Sequence, residues 1–214
     1  MKKTTISAFL FSFLLVSACA AAPQAGPQGQ PAAEAPSARP EPRLVVYDVK
    51  SGDNLTTIAK KHGVTVDLIR QANGLTGDRL DIGQQLKIPS YKLTVWIDKS
   101  DNTLTLKGDD EVLKTYVVAT GTNNSTPVGT YKVTDKLENP TWFKAGAVKK
   151  PGDPDNQLGS RWIGINLKGY GIHGTIDPES LGKQVTAGCV RMKNGDVEEL
   201  YRLIPPGTEV TITD

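Results

Sequence analysis

The chain is short of the residues that most often carry chemistry. Its 214 residues include two cysteines and two histidines, and aromatic side chains make up only 6%. Charge of one sign is also lacking: 25 Lys and Arg face 23 Asp and Glu, and Lys2 with Lys3 supply the whole excess. A chain this close to neutrality has no basic field to follow a phosphate backbone, so nucleic acid is excluded as a partner. The only long apolar run lies at the N-terminus, which excludes a bundle of membrane-spanning helices. Once Cys19 is set aside, Cys189 is the sole cysteine, so no disulfide is expected and Cys189 is a free thiol. No CxxC or HxxxH spacing accompanies it, and no metal site or cofactor is expected. A serine triad lacks its G-x-S-x-G elbow, and no carboxylate pair for glycoside hydrolysis stands out. Asp109-Asp110-Glu111 reads as a solvated turn.

What is present begins with an address. Lys2 and Lys3 precede an apolar stretch from Ile6 to Val16, too short for a bilayer and well sized for a secretory signal over residues 1–18. Val16-Ser17-Ala18-Cys19 resembles a bacterial lipobox, which implies diacylation of Cys19 and a lipid anchor in the membrane. Ordinary cleavage between Ala18 and Ala22 is the plainer alternative. Residues 19–43 form the N-terminal spacer, rich in Pro, Ala, Gln and Gly with almost no large apolar side chain. Such composition cannot bury enough surface to offset its ordering entropy. In the extended polyproline form, at about 3 Å per residue, it would reach roughly 70 Å.

Residues 44–89 change pattern. A short strand (Val46 to Val49) and Gly52-Asp53 lead into an apolar-periodic stretch with Leu55, Ile58 and Ala59, stopped by Gly63. Thr65 is the expected N-cap of a second helix carrying Leu68 and Ile69, closed by Asn73-Gly74. Leu80, Ile82, Leu86 and Ile88 supply a returning strand. This small α+β unit, ordered βααβ, resembles a LysM module from VYDVKSGDNL to IGQQLKIP. The resemblance implies a shallow groove for N-acetylglucosamine-containing glycan, formed by Gly52, Asp53, Asn54, Leu55, Asn73, Gly74, Leu75 and Ile82.

Residues 90–214 read as mainly β. Lys92 to Asp98, Thr103 to Lys107, Val112 to Ala119 and Val128 to Val133 are rich in Val, Thr, Leu, Ile and Tyr and separated by Gly, Asn, Asp and Pro. That cadence predicts a sandwich or barrel. One short helix is expected near the C-terminus, Gly195 to Leu203, ended by Pro205-Pro206-Gly207 before a last strand, Glu209 to Thr213.

Cys189 sits in Thr186-Ala187-Gly188-Cys189-Val190-Arg191, with a permissive glycine before the thiol and a cation after it. An unpaired cysteine is most often a buried small hydrophobe, but these neighbours suit a nucleophile turn. His62 closes a helix of the LysM unit, where the macrodipole explains it, so His173 is the sole candidate base. An imidazolium beside a thiol can lower its pKa by several units.

Thr126-Pro127-Val128-Gly129-Thr130-Tyr131, Leu158-Gly159-Ser160-Arg161-Trp162-Ile163-Gly164, Ile172-His173-Gly174-Thr175 and Thr186-Ala187-Gly188-Cys189-Val190-Arg191-Met192 together resemble the L,D-transpeptidase (YkuD-like) catalytic domain. The resemblance spans Leu93 to Ile212 and implies a β-sandwich acting on peptidoglycan stem peptides. It places catalysis on Cys189 and His173, with the Gly174 carbonyl orienting the imidazole and Asp177 as a rival third member. Gly188, Thr186 and Arg191 are the expected oxyanion and substrate-binding positions. Many members carry histidine where this chain has Ala187. A thioester with a tetrapeptide stem, released D-alanine and a 3-3 crosslink follow from the resemblance. An L,D-carboxypeptidase, or an enzyme making or cutting protein-to-wall links, is the first alternative. A wall-binding lipoprotein without catalysis is the second. Both resemblances place the protein in the cell envelope, anchored through Cys19 and facing peptidoglycan, in the periplasm or on the outer face of the cytoplasmic membrane.

Overall fold

The structure is a computed structural model that describes residues 43–144 and 146–214. Cys19, the signal segment and nearly all of the spacer lie outside the described residues. The chain enters the first unit at β1 (Leu44–Asp48), continues through α1 (Leu55–His62) and α2 (Val66–Asn73), and returns on β2 (Gln85–Pro89). β1 and β2 pair antiparallel, from Leu44 opposite Pro89 to Asp48 opposite Gln85.

Local chemistry fixes both helices. Asn54 caps α1: its side chain accepts from Thr57 N (2.9 Å), and Thr57 Oγ1 accepts from Asn54 N (3.2 Å). Thr65 caps α2 through Leu68 N (3.2 Å). Each helix ends on a left-handed residue, Gly63 (φ 65°) and Gly74 (φ 63°), a conformation that glycine adopts without a Cβ penalty. Leu55, Ile58, Ile69, Leu86 and Ile88 are fully buried between the helices and the hairpin. Each contributes about 1.5–3 kcal/mol. The returning strand is shorter than expected. Leu80 and Ile82 precede it in a loop, and Ile82 is 75% exposed.

The second unit contains β3 (Leu93–Asp98), β4 (Thr103–Gly108), β5 (Glu111–Gly121), β6 (Gly129–Glu138), β7 (Trp142–Lys144), β8 (Ala147–Lys149), β9 (Arg161–Ile165), β10 (Gly171–His173), β11 (Gln184–Thr186), β12 (Val190–Met192), α3 (Asn194–Leu203) and β13 (Glu209–Thr213). Nine strands form one sheet in the order β11-β5-β12-β10-β9-β6-β13-β3-β4, and β4 pairs back on β5, so the sheet closes on itself. β5 and β6 make the corners. β5 pairs with β4 up to Val117 and then with β12 through Val118 and Ala119. β6 pairs with β13 through Gly129 to Lys132 and then with β9, across a register shift between Val133 and Lys136. Such bulges let one strand serve two layers. Val95, Ile97, Leu104, Leu106, Ile163, Ile172, Met192, Val210 and Ile212 fill the interior, and α3 adds Val197 and Leu200.

The C-terminal carbonyls of α3 are satisfied from two sides. Lys136 Nζ donates to Tyr201 O (2.5 Å) and Ile204 O (2.8 Å), and Thr65 Oγ1 donates to Arg202 O (2.6 Å). One threonine hydroxyl thus caps a helix of the first unit and closes a helix of the second.

Candidate active site

Two short parallel strands bring the sequence motifs together. β10 and β12 pair with Ile172 opposite Val190 and His173 opposite Arg191. Cys189 therefore lies level with Gly171. Side chains alternate along a strand, so His173 and Arg191 share one face while Ile172 and Val190 are buried on the other, and Cys189 enters from the turn just before β12. Gly171 has to be small, since a Cβ there would stand 2.7 Å from the Trp162 ring and from Ile163 O.

His173 is 5% exposed. Its Nδ1 lies 2.6 Å from Gly174 O. A carbonyl only accepts, so Nδ1 carries the proton and Nε2 keeps its lone pair. Trp162 stacks on the imidazole (centroids 6.1 Å apart, planes at 17°) and donates its indole N–H to Asp135 Oδ2 (3.0 Å). Burial pulls the imidazole pKa down to about 4; the Gly174 and Gln157 carbonyls oppose the fall and the Arg191 charge adds to it. Burial also pushes the Cys189 thiol up, against smaller opposing effects of Gly171 N–H and Arg191. The thiol lies 3.6 Å from Gly169 O. Burial thus favours the uncharged form of both groups.

The remaining site residues build the nucleophile turn. Thr186 Oγ1 donates to Cys189 O (2.6 Å) and accepts from Gly188 N (3.1 Å). The Gly188 N–H is thus bonded within the turn. Glycine is required there: φ is +129°, and a Cβ would fall 2.7 Å from the Tyr170 ring. Arg191 is 9% exposed, donates to Ser180 Oγ (3.0 Å) and stands 3.7 Å from Asp177 Oδ2. It holds the loop carrying Asp177. Asp177 faces Arg191, and the partner of His173 Nδ1 is the Gly174 carbonyl.

Asn194 and Trp162 complete the site and went unread as site residues. Asn194 Oδ1 accepts from Ser160 N (3.1 Å) and Thr175 N (3.0 Å). In sequence, an asparagine before an apolar-periodic stretch reads as a helix cap. The signal for Trp162 is its register opposite His173 on β9.

Most of the expected glycan-groove positions are committed to folding. Asp53 Oδ2 accepts from Tyr47 OH and Lys50 N (both 2.8 Å). Asn73 donates to Ile69 O and Lys87 O (both 2.8 Å) and accepts from Lys87 N (2.7 Å). Leu55 is 2% exposed, so its side chain is core and not groove, and Leu75 is partly buried against that core. Asn54 is the α1 cap. Gly52 and Gly74 have open space beside them, and Ile82 projects outward. Among the described residues, no cluster of three or more His, Cys, Asp or Glu side chains is placed to hold a metal ion.

Comparison with known proteins follows the same division. Residues 47–89 match the LysM domain, and residues 92–212 match the L,D-transpeptidase catalytic domain (YkuD). The Bacillus subtilis (strain 168) protein named L,D-transpeptidase YkuD is 36% identical over 178 residues, covering 79% of this chain and 99% of that protein. The B. subtilis protein named L,D-transpeptidase YqjB is 48% identical over 126 residues, 56% of this chain and 70% of that protein. An L,D-transpeptidase from Mycobacterium tuberculosis H37Rv shares the fold at 16% identity, with a TM-score of 0.51 over 81% of this chain and 91% of that one. The matched region exceeds half the chain and contains the whole Cys189–His173 site, so the chain belongs to the L,D-transpeptidase (YkuD) family, its catalytic domain following a LysM domain.

Proposed function

We propose that the protein is a peptidoglycan L,D-transpeptidase that works through a Cys189 thioester. The observation that carries this reading is the parallel pairing of β10 with β12, which sets Cys189, the residue before β12, beside the strand that carries His173, with His173 Nδ1 tied to Gly174 O. That bond leaves Nε2 as the proton acceptor for the thiol. As sulfur attacks the carbonyl of the third stem residue, the S–C bond forms and the thiol proton passes to Nε2. The imidazolium then gives that proton to the leaving nitrogen, the C–N bond to the terminal D-alanine breaks, and a thioester remains. An acceptor amine reverses the sequence: its N–C bond forms, the C–S bond breaks, and its proton returns to sulfur through His173. With Gly188 N–H bonded to Thr186, the Cys189 N–H is the backbone donor assigned to the oxyanion.

The raised thiol and lowered imidazole support proton transfer that accompanies attack, since burial disfavours the charged form of each. LysM binding to glycan strands would hold the catalytic domain near stem peptides and make the second encounter intramolecular. Export and lipidation at Cys19 belong to the same reading, placing the enzyme in the envelope facing peptidoglycan.

Intact mass of the protein after incubation with a carbapenem tests the acylation step. A single adduct on the wild type and none on Cys189→Ala is expected. No adduct on a reduced wild-type thiol would refute the reading. Product analysis with a tetrapeptide stem and an added amine then separates the acceptors. Crosslinked dimer is expected, and tripeptide alone would mark a carboxypeptidase.

A further inference from the structure

We infer that Asn194 is the positioning residue that sets the tautomer and orientation of His173. Asparagine is among the best helix N-caps, yet Asn194 is the first residue inside α3, whose N-cap is Lys193 without a side-chain capping bond. The Asn194 side chain turns from its own helix toward the loop after His173. There its Oδ1 accepts from Thr175 N (3.0 Å) and Ser160 N (3.1 Å).

The Thr175 N–H and the Gly174 C=O belong to one planar peptide unit. That plane is held at both ends, by Asn194 on its N–H and by His173 Nδ1–H on its oxygen. Swinging the carbonyl away from the imidazole requires breaking the Asn194 bond. The surrounding backbone packs closely on the amide oxygen. A Cβ at Gly174 or at Gly159 would each lie 2.2 Å from Asn194 Oδ1, and Gly159 has φ +62°. The amide oxygen thus sits between two backbone turns that only glycine lets approach so closely.

The chemistry also accounts for an amide here. An aspartate would accept the same two N–H groups, but its charge would favour the imidazolium and oppose the neutral base. Asn194 orients the peptide without that cost, and Asp177 is occupied with Arg191. Orientation of His173 therefore runs through a neutral chain: amide, peptide, imidazole.

The inference rests on His173 acting as acid and base, and the test separates the two. Nitrogen-15 NMR of the full chain reports the tautomer of His173 directly, with His62 as the internal folded reference. Kinetics with the tetrapeptide stem report function. Wild type is expected to show one Nδ1–H tautomer. Asn194→Ala is expected to show a tautomer mixture and a kcat about 10²-fold lower, with KM nearly unchanged. Asn194→Asp is expected to restore the Nδ1–H tautomer, with the imidazole pKa raised. Wild-type tautomer and kcat in Asn194→Ala would overturn the inference. If Asn194→Ala does not fold, an Nε2–H tautomer in Asn194→Asp overturns it equally. A wild type that shows the Nδ1–H tautomer but never acylates would refute the catalytic reading and leave the Asn194 result standing.

Discussion

The LysM unit and the catalytic unit use their signature residues differently. In the first, the polar motif positions mostly hold the backbone: Asn54 and Thr65 cap helices, Asp53 pins a turn, and Asn73 ties α2 to β2 with two bonds and bonds back to Ile69 O within α2. In the second, the motif residues converge on one thiol and one imidazole, while anonymous alternating strands carry the fold. Size explains the contrast. A unit of fewer than 50 residues has few core positions, so caps and clamps supply a large share of its stability. A closed sheet with a full interior can leave polar residues to chemistry.

That contrast predicts opposite responses to removing a signature residue. His173→Gln is expected to lower kcat with the stem substrate by about 10²–10⁴-fold, with a melting temperature close to wild type at pH 8. A variant that melts far below wild type there would place His173 with the scaffold residues.

Stability should still depend on His173 at lower pH. Its folded pKa of about 4 lies below the ordinary 6.5, so the unfolded chain binds the extra proton first. Above about pH 6.5 both states are neutral and nothing is lost. Between 6.5 and 4 stability falls as pH falls, by on the order of 3 kcal/mol in all, and below 4 the loss levels off. Denaturant titrations of wild type and His173→Gln, alike at pH 8, should diverge as pH drops, the wild type losing stability that the variant keeps. Parallel curves would show that the imidazole is not buried neutral.

Asn73→Ala is the matching change in the LysM unit. It leaves the Lys87 backbone groups without their side-chain partner and should destabilise that unit by about 1–3 kcal/mol. Stem acylation should stay near wild type at low temperature. Hydrogen exchange localised to α2 and β2 would report it; unchanged protection there would mean that Asn73 belongs to the ligand surface after all.

Legibility in the sequence follows the same line. β3, β4 and β13 alternate buried and half-exposed side chains, and their expected bounds match within a residue. β10, β11 and β12 have three residues each, too few for a periodicity, and only pairing with neighbours makes them strands. Cys189 and His173 stood out because each lacks a competitor. Asn194 was hidden because its position imitates a helix cap, and its partners, Ser160 and Thr175, lie on distant segments. The effect of burial on the pair was equally hidden, since burial is decided by the whole sheet and not by the residues beside the thiol.

The smallest expected effect is also the one that sharpens the comparison most. Ile82 is the groove position with no visible structural duty: it is 75% exposed and lies outside the β1–β2 ladder. Ile82→Ser should change stability by less than about 0.5 kcal/mol, as surface substitutions do. If Ile82 serves ligand alone, the variant should pellet less with purified peptidoglycan while acylation by a carbapenem in solution stays at the wild-type rate. Loss of wall binding without loss of stability would separate recognition from folding inside the LysM unit at a single residue. Undiminished wall binding would instead move recognition onto the residues that also fold it, because Gly52, Asp53, Asn54, Asn73 and Gly74 cannot be changed without disturbing a turn, a cap or a clamp.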